Sequence, residues 1–151
     1  MPTVTNPILN LKRVGKNVKA TVTYDLNLSR LESNLAALVP LGIRFSEAVE
    51  IFGVDAPGSS RDRFQDVIGV GTITVPIKDE SQTLPRRFTR TFTRAELDED
   101  LDLFIPDDDE LVCRIRVLVH GLPFNPTDES TNVVTLAAGA NNQPISQLGK
   151  G

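Results

Sequence analysis

Two segments of the chain alternate strictly between apolar and polar residues. In KNVKATVTYDL (16–26), every second residue from the first valine onward is apolar, and the residues between are Lys, Thr and Asp. In ELVCRIRVLVHG (110–121), the same period places five apolar residues on one face and Arg114, Arg116 and His120 on the other. Because successive side chains of a strand point to opposite faces, this period predicts two half-buried β-strands.

Five further segments show a weaker strand pattern. They are ILNLKRV, GIRFSEAVEIFG, VIGVGTITVPI, RRFTRTFT and TNVVTLA (8–14, 42–53, 67–77, 86–93 and 131–137). In the second of these, Glu47 interrupts the apolar face, which predicts a bulge or an edge position near Ser46 and Glu47. Gly69 and Gly71 weaken the third, and Pro76 closes it. The sequence therefore predicts about seven strands.

Two short helices fit between the strands. In LSRLESNLAAL (28–38), four leucines recur at helical spacing, Ser29 and Glu32 form a capping box, and Pro40 lies just past the predicted end. TRAELDED (93–100) has the same Thr-to-Glu spacing and predicts a single helical turn. Both are expected to be connections between strands.

This order of elements predicts an all-β fold, a single Greek-key β-sandwich that resembles immunoglobulin-like or C2-like architectures. The sandwich is expected to cover residues 1–138, with a polar C-terminal tail at 139–151. The resemblance is to an architecture, so it implies no function.

The composition argues against nucleic-acid binding, an intrachain disulfide and a membrane helix. The 151 residues carry a net charge of −4, one Cys, one His and no Trp. An acidic chain lacks the basic face that nucleic acid requires, and a single cysteine allows no intrachain disulfide. No stretch approaches the roughly 18 apolar residues of a membrane helix. The N-terminal residues lack a signal-peptide pattern, which predicts synthesis in the cytoplasm, with later release in a virion or similar assembly as an option.

Catalytic motifs are equally scarce. The sequence contains no HExxH, P-loop or GxSxG pattern, and GVGT lacks the third glycine of a dinucleotide fingerprint. His120 lies opposite the predicted core, and Cys113 lies on the apolar face among Ile115 and Val117. A buried cysteine behaves as a small hydrophobic residue. We therefore expect that the chain is not an enzyme and has no cofactor.

An acidic cluster is the first candidate site. Eight carboxylates lie within residues 98–110, and the candidate calcium ligands among them are Asp98, Asp100, Asp107, Asp108 and Asp109. Flexible loops rich in oxygen ligands suit calcium, although the spacing matches no EF-hand. A solvated or arginine-paired acidic loop is the favoured interpretation. A glycosidase pair would need two carboxylates at a fixed separation in an apolar pocket, which an exposed loop does not provide.

Arginines form the second candidate site, for an anion or a protein partner. They are Arg86, Arg87, Arg90, Arg94, Arg114 and Arg116. If the two strands that carry them are neighbours, four to six guanidinium groups share one sheet face, which suits carboxylate or phosphate binding. The alternative is a solvated face with cross-strand pairing. An acidic loop together with a basic face would also permit head-to-tail self-association.

The leading hypothesis is a non-catalytic structural or protein-interaction module, a subunit or decoration of a larger assembly such as a virion or phage-like particle. We expect protein partners or self-association, and neither nucleic acid nor membrane insertion. The alternative is a calcium-dependent, C2-like module that binds lipid headgroups or glycans. A hydrolase with an unrecognised carboxylate pair is the third hypothesis.

Overall fold

The computed structural model describes residues 1–53, 65–93, 109–123, 126–136 and 147–148. Within them, the strands are β1 (Thr3–Val14), β2 (Asn17–Leu28), β3 (Arg44–Gly53), β4 (Gln65–Ile73), β5 (Gln82–Thr93), β6 (Asp109–His120), β7 (Thr127–Ser130), β8 (Val133–Leu136) and β9 (Gln147–Leu148). One helix, α1 (Arg30–Asn34), is followed directly by a 3₁₀ helix (Leu35–Leu41). No helix in this part of the chain is long and apolar enough to span a membrane.

The strands form two antiparallel sheets. The small sheet has the order β1-β2-β5, and the large sheet has the order β4-β3-β6-β8-β9, with β7 also paired to β6. In constant-type immunoglobulin sandwiches the first, second and fifth strands likewise share a sheet, opposite the third, sixth and seventh. The fourth strand differs, because it lies beside the fifth in that type and beside β3 here. The predicted all-β sandwich is confirmed, and of the two architectures named above the strand order favours the immunoglobulin type.

The core lies between the sheets and follows the alternation read from the sequence. Every second residue of β2 and of β6 is buried, including Tyr24, Cys113 and Ile115. The largest fully buried side chains are Phe45, on β3, and Phe92, on β5. Both strong strand predictions are therefore confirmed, as is the burial of the single cysteine.

The prediction for Glu47 is wrong. β3 lies in the interior of its sheet between β4 and β6, and its register is regular at Ser46 and Glu47. The register shift falls between Val49 and Glu50, against β4. Glu47 is only 3% exposed. It faces the core because Tyr24 and Arg86, on the opposite sheet, bind its carboxylate.

The first predicted helix is confirmed at its start and wrong at its end. The Ser29 hydroxyl accepts from the Glu32 amide at 3.1 Å, and Glu32 Oε1 accepts from the Ser29 amide at 2.8 Å. This is the predicted capping box. The α-helix ends at Asn34, and Pro40 lies inside the following 3₁₀ helix rather than beyond it.

Two strands lie in segments where the sequence predicted none. The loop predicted around residues 121–131 contains β7, whose polar sequence TDES has no apolar period. The polar tail contains β9, which pairs with β8. The helical turn predicted over TRAELDED lies outside the described residues, except for Thr93 at the end of β5.

Candidate functional site

Three connections meet at one end of the sandwich. The register pairs Leu28 with Gln82 in the small sheet, and Arg44 with His120 in the large sheet. The connections at residues 29–43, 74–81 and 121–123 therefore emerge at the same end. We call the surface formed by residues 29–43 and 74–81 the apolar end.

Large hydrophobic side chains are concentrated on this end. Of the ten that are exposed among the described residues, five lie here: Leu31, Leu38, Val39, Leu41 and Ile77. Met1 is a sixth, and its amino group lies 3.0 Å from the Glu32 carboxylate. Leu41 is 82% exposed, Ile77 72% and Leu31 69%. Single exposed aliphatic residues are ordinary, but a concentration of them on one surface is typical of an interaction site.

The connection beneath these side chains is anchored to the fold. Ala36 and Ser33 are buried, and Leu35 packs against the core. Gly42 has a φ of +104° and Gly121 a φ of +91°. A side chain at Gly121 would lie 3.0 Å from the Gly42 carbonyl oxygen, so glycine permits the two connections to approach closely.

A polar network joins the two segments of the apolar end. Asp79 accepts two hydrogen bonds from Arg30, at 2.9 and 2.8 Å, and one from Asn34 at 3.1 Å. These bonds hold the pKa of the Asp79 carboxyl below its usual value, with Arg30 as the largest cause. Arg44, Lys78 and Glu80 are exposed nearby. The apolar surface thus has a rim of both charges.

The arginines of the second candidate site do not share one face. β5, which carries Arg86, Arg87 and Arg90, belongs to the small sheet, and β6, which carries Arg114 and Arg116, belongs to the large sheet. The condition that their strands are neighbours is not met, so the single basic face that depended on this condition does not form. Strand pairing is a long-range property that the local pattern did not contain.

On β5, two of these arginines point inward and contact the other sheet. Arg86 binds the Glu47 carboxylate through both Nε and Nη2. Arg90 Nη1 donates to Asp66 Oδ1 at 2.8 Å and to the Val67 carbonyl. The Glu47 hydrogen bond raises the pKa of Arg86. Both guanidinium groups therefore close one side of the sandwich.

Arg87, Arg114 and Arg116 lie on outer faces. Arg114 Nε donates to Asp128 Oδ1 at 2.6 Å, and Arg116 lies 3.8 Å from the same carboxylate. Arg87 is exposed on the outer face of β5, where it pairs in register with Thr23. Arg94 lies outside the described residues. A binding role for these side chains stays a prediction.

The calcium hypothesis also stays a prediction. Asp98, Asp100, Asp107 and Asp108 lie outside the described residues, and Asp109 is placed only by its backbone, as the first residue of β6. In the described ranges, no group of three or more potential ligands is close enough to hold a metal ion.

One contact has the elements of a nucleophile and its base. Ser46 Oγ lies 2.6 Å from His120 Nε2 on the outer face of the large sheet. A catalytic pair also requires a group that orients the histidine. Within the described residues, no carboxylate contacts the other ring nitrogen of His120. The geometry corresponds to a diagonal hydrogen bond between neighbouring strands.

The sequence interpretation missed the apolar end. Helical spacing placed Leu31 and Leu38 on one face of a single helix, but the α-helix ends before Leu38 and both side chains are exposed. A signal was present, because LAALVPLGI (35–43) contains no polar side chain although it crosses between sheets.

No protein-family model and no curated protein sequence matches the chain. Among solved structures, the chain is similar to the sporulation control protein Spo0M from Bacillus subtilis, at a TM-score of 0.31 and 14% identity, with 93% of this chain and 50% of Spo0M covered. It is also similar to a bacterial adhesin from Mobiluncus mulieris with intramolecular disulfide, isopeptide and ester bond cross-links, at a TM-score of 0.43 and 13% identity, with 97% and 52% covered. The chain thus spans about half the length of the solved structures it matches.

Proposed function

We propose that this chain is a non-catalytic protein-interaction module and that the apolar end is the core of its interface. The observation that carries the proposal is the exposure of Leu31, Leu41 and Ile77 on connections that the buried residues Ala36 and Val75 anchor to the sandwich. Burying one such side chain contributes about 1.5–3 kcal/mol. An anchored surface also loses little conformational freedom on binding.

The charges around the surface favour a protein partner over a membrane. The rim has both signs of charge, which matches the polar rim of protein interfaces. Its members are Arg30, Arg44, Lys78, Asp79 and Glu80. Surfaces that bind membranes combine apolar residues with Lys and Arg clusters and often with Trp. This chain has no Trp, and its apolar end has no basic cluster among the described residues.

The finer part of the proposal is that the partner belongs to a larger protein assembly in which this chain is a subunit. The apolar end supports it, because an exposed apolar patch with a polar rim is typical of a surface that a protein partner covers. Whether that assembly is a virion stays a prediction from the architecture.

Binding by the purified chain tests the proposal. The wild type, a Leu31→Asp/Leu41→Asp variant and a Val14→Asp control are used as bait in an extract of the cells that produce the protein. Val14 is 52% exposed at the opposite end of the sandwich, so it controls for the loss of an exposed aliphatic side chain. A retained protein is then purified and titrated against all three. We expect the double variant to raise Kd by at least about tenfold.

Two outcomes would contradict the proposal. One is a partner that binds the wild type and the Leu31→Asp/Leu41→Asp variant equally well. The other is leucine-dependent binding to vesicles of phosphatidylcholine and phosphatidylserine, which would identify the apolar end as a membrane surface. Melting curves of all three proteins should coincide, because the substituted side chains are exposed.

A further inference from the structure

The sheet edge formed by β1 is protected against pairing with other strands. Its register with β2 shifts between Thr5 and Ile8, and Pro7 lies in the shift. Asn132, from the segment between β7 and β8, binds both the amide and the carbonyl of Leu9, at 2.8 and 3.2 Å. A bulge, a proline and a covering side chain are all devices that block edge pairing.

The edge formed by β5 is protected by other means. Pro85 lies within the strand and cannot donate a backbone hydrogen bond. Arg86 and Arg90 point inward from the same strand and bind carboxylates of the other sheet. Inward-pointing charges on an edge strand oppose the addition of another strand, because pairing would desolvate them further.

The third edge, β4, has such features only at its start, where the register shifts against β3 and Arg90 of β5 binds Asp66 and the Val67 carbonyl. Within the described residues it pairs only with β3. The residues from Val67 to Ile77 carry no charge, and Val70 is 73% exposed. The register shift against β3 lies at the Val67 end, so Gly69–Ile73 is regular. A regular, uncharged and apolar edge is a template for strand addition.

We propose that β4 pairs with β4 of a second copy of this chain, so that the two large sheets become one continuous sheet across a two-fold axis. The sequence is compatible with its own antiparallel copy. With the axis near Val70 and Gly71, Asp66 lies opposite the uncharged residues 74–76 and not opposite its own copy. Val70 then meets Val70 or Thr72 of the second copy on the outer face, where β-branched pairs stabilise a sheet.

The pairing also determines where the two apolar ends lie, and the role of the dimer inferred from this rests on the proposed function. β4 ends at the apolar end of each chain, since Ile73 pairs with Phe45 there. Antiparallel pairing of the two β4 strands therefore directs the two apolar ends to opposite sides of the dimer. Such a dimer would bind two partner molecules and join them.

Sedimentation equilibrium over a range from micromolar to near-millimolar protein tests the pairing. We expect a monomer–dimer equilibrium for the wild type. Val70→Lys should raise the dimer dissociation constant by at least about tenfold, because it places like charges close together across the axis. Thr72→Lys, also exposed on the outer face of β4, provides a second variant. Val14→Lys, an exposed valine at the β1 edge, is the matched control and should leave the dimer unchanged.

A wild-type protein that is monomeric throughout this range would overturn the pairing. So would a dimer that both β4 variants retain or that Val14→Lys disrupts. Circular dichroism of each variant establishes that it is folded. The two proposals are tested by separate variants, because Val70 and Thr72 lie in β4 whereas Leu31 and Leu41 lie in the connection at residues 29–43. Failure of the pairing and failure of the proposed function are therefore distinguishable.

Discussion

Tyr24 and Glu47 face each other across the sandwich, and the tyrosine hydroxyl donates a hydrogen bond to Oε2 of the carboxylate. Tyr24 lies on β2 of the small sheet and Glu47 on β3 of the large sheet. Burial, followed by the hydrogen bond and charge of Glu47, raises the pKa of Tyr24 well above its usual value. Arg86 binds the same carboxylate from β5. A buried charge is therefore held by two groups of the opposite sheet.

Removing the carboxylate should destabilise the fold strongly. Glu47→Ala leaves Arg86 and Tyr24 without their shared partner, and breaking a buried ion pair costs on the order of 3 kcal/mol. Urea denaturation measures the loss. Arg87→Ala, one residue from Arg86 but on the outer face, is the control and should change stability by less than about 0.5 kcal/mol. The combined Glu47→Ala/Arg86→Ala loss should be smaller than the sum of the single losses, and strict additivity would contradict the coupling.

Glu47 and its partners Tyr24 and Arg86 also show which part of the structure the sequence did not predict. β2 and β6 were predictable because each has an apolar face and a polar face in simple alternation. Glu47 breaks that alternation, and its partners lie 23 and 39 residues away, where a local pattern contains no information about them. The same limit explains the arginines, because neither the sheet to which their strands belong nor the carboxylates that bind Arg86 and Arg90 can be read from the local pattern.

The sequence analysis did not predict the apolar end for a different reason. Leucine spacing predicts which residues share a helix face only while the helix remains α-helical. Leu35–Leu41 is a 3₁₀ helix with about three residues per turn, so Leu38 and Leu41 do not continue the α-helical face. The sequence feature that predicts such a surface is a run without polar side chains in a connection between strands, here residues 35–43.

The Arg114–Asp128 pair should make stability depend on pH. The hydrogen bond from Arg114, then Arg116, lowers the pKa of Asp128. A carboxyl whose pKa is lower in the folded state stabilises the fold above its unfolded pKa of about 3.9, and this contribution is lost as the pH falls through the folded value. Asp128→Asn should therefore be less stable than the wild type at pH 7, and the difference should disappear in strong acid.

Thermal unfolding of both proteins from neutral to acidic pH measures this effect. The pair is partly exposed, so high salt at neutral pH should also reduce the difference. A difference between the wild type and Asp128→Asn that persists unchanged at the lowest pH would show that the asparagine acts through packing rather than through the ion pair.

Gly69 is required by the packing of the two sheets. A Cβ at this position would lie 2.2 Å from Cδ1 of Phe88, on the facing strand β5. Gly69→Ala should therefore cost about 1–3 kcal/mol, as overpacking does elsewhere. Gly71, two residues along β4, has no atom within 4 Å of an added Cβ, so Gly71→Ala is the matched control and should be close to neutral. Phe88→Leu should recover part of the loss in the Gly69→Ala protein, and its failure to do so would contradict the assigned contact.

Cys113 provides one probe for all these changes. It is the only cysteine, it is fully buried on β6, and burial raises the pKa of its thiol. Because the thiolate is the reactive form, a disulfide reagent should label the native protein only through opening of the sandwich. Glu47→Ala and Gly69→Ala should label faster in proportion to their loss of stability, whereas Arg87→Ala and Gly71→Ala should label at the wild-type rate. Fast labelling of the wild type at neutral pH would show that the two sheets part near β6 without global unfolding.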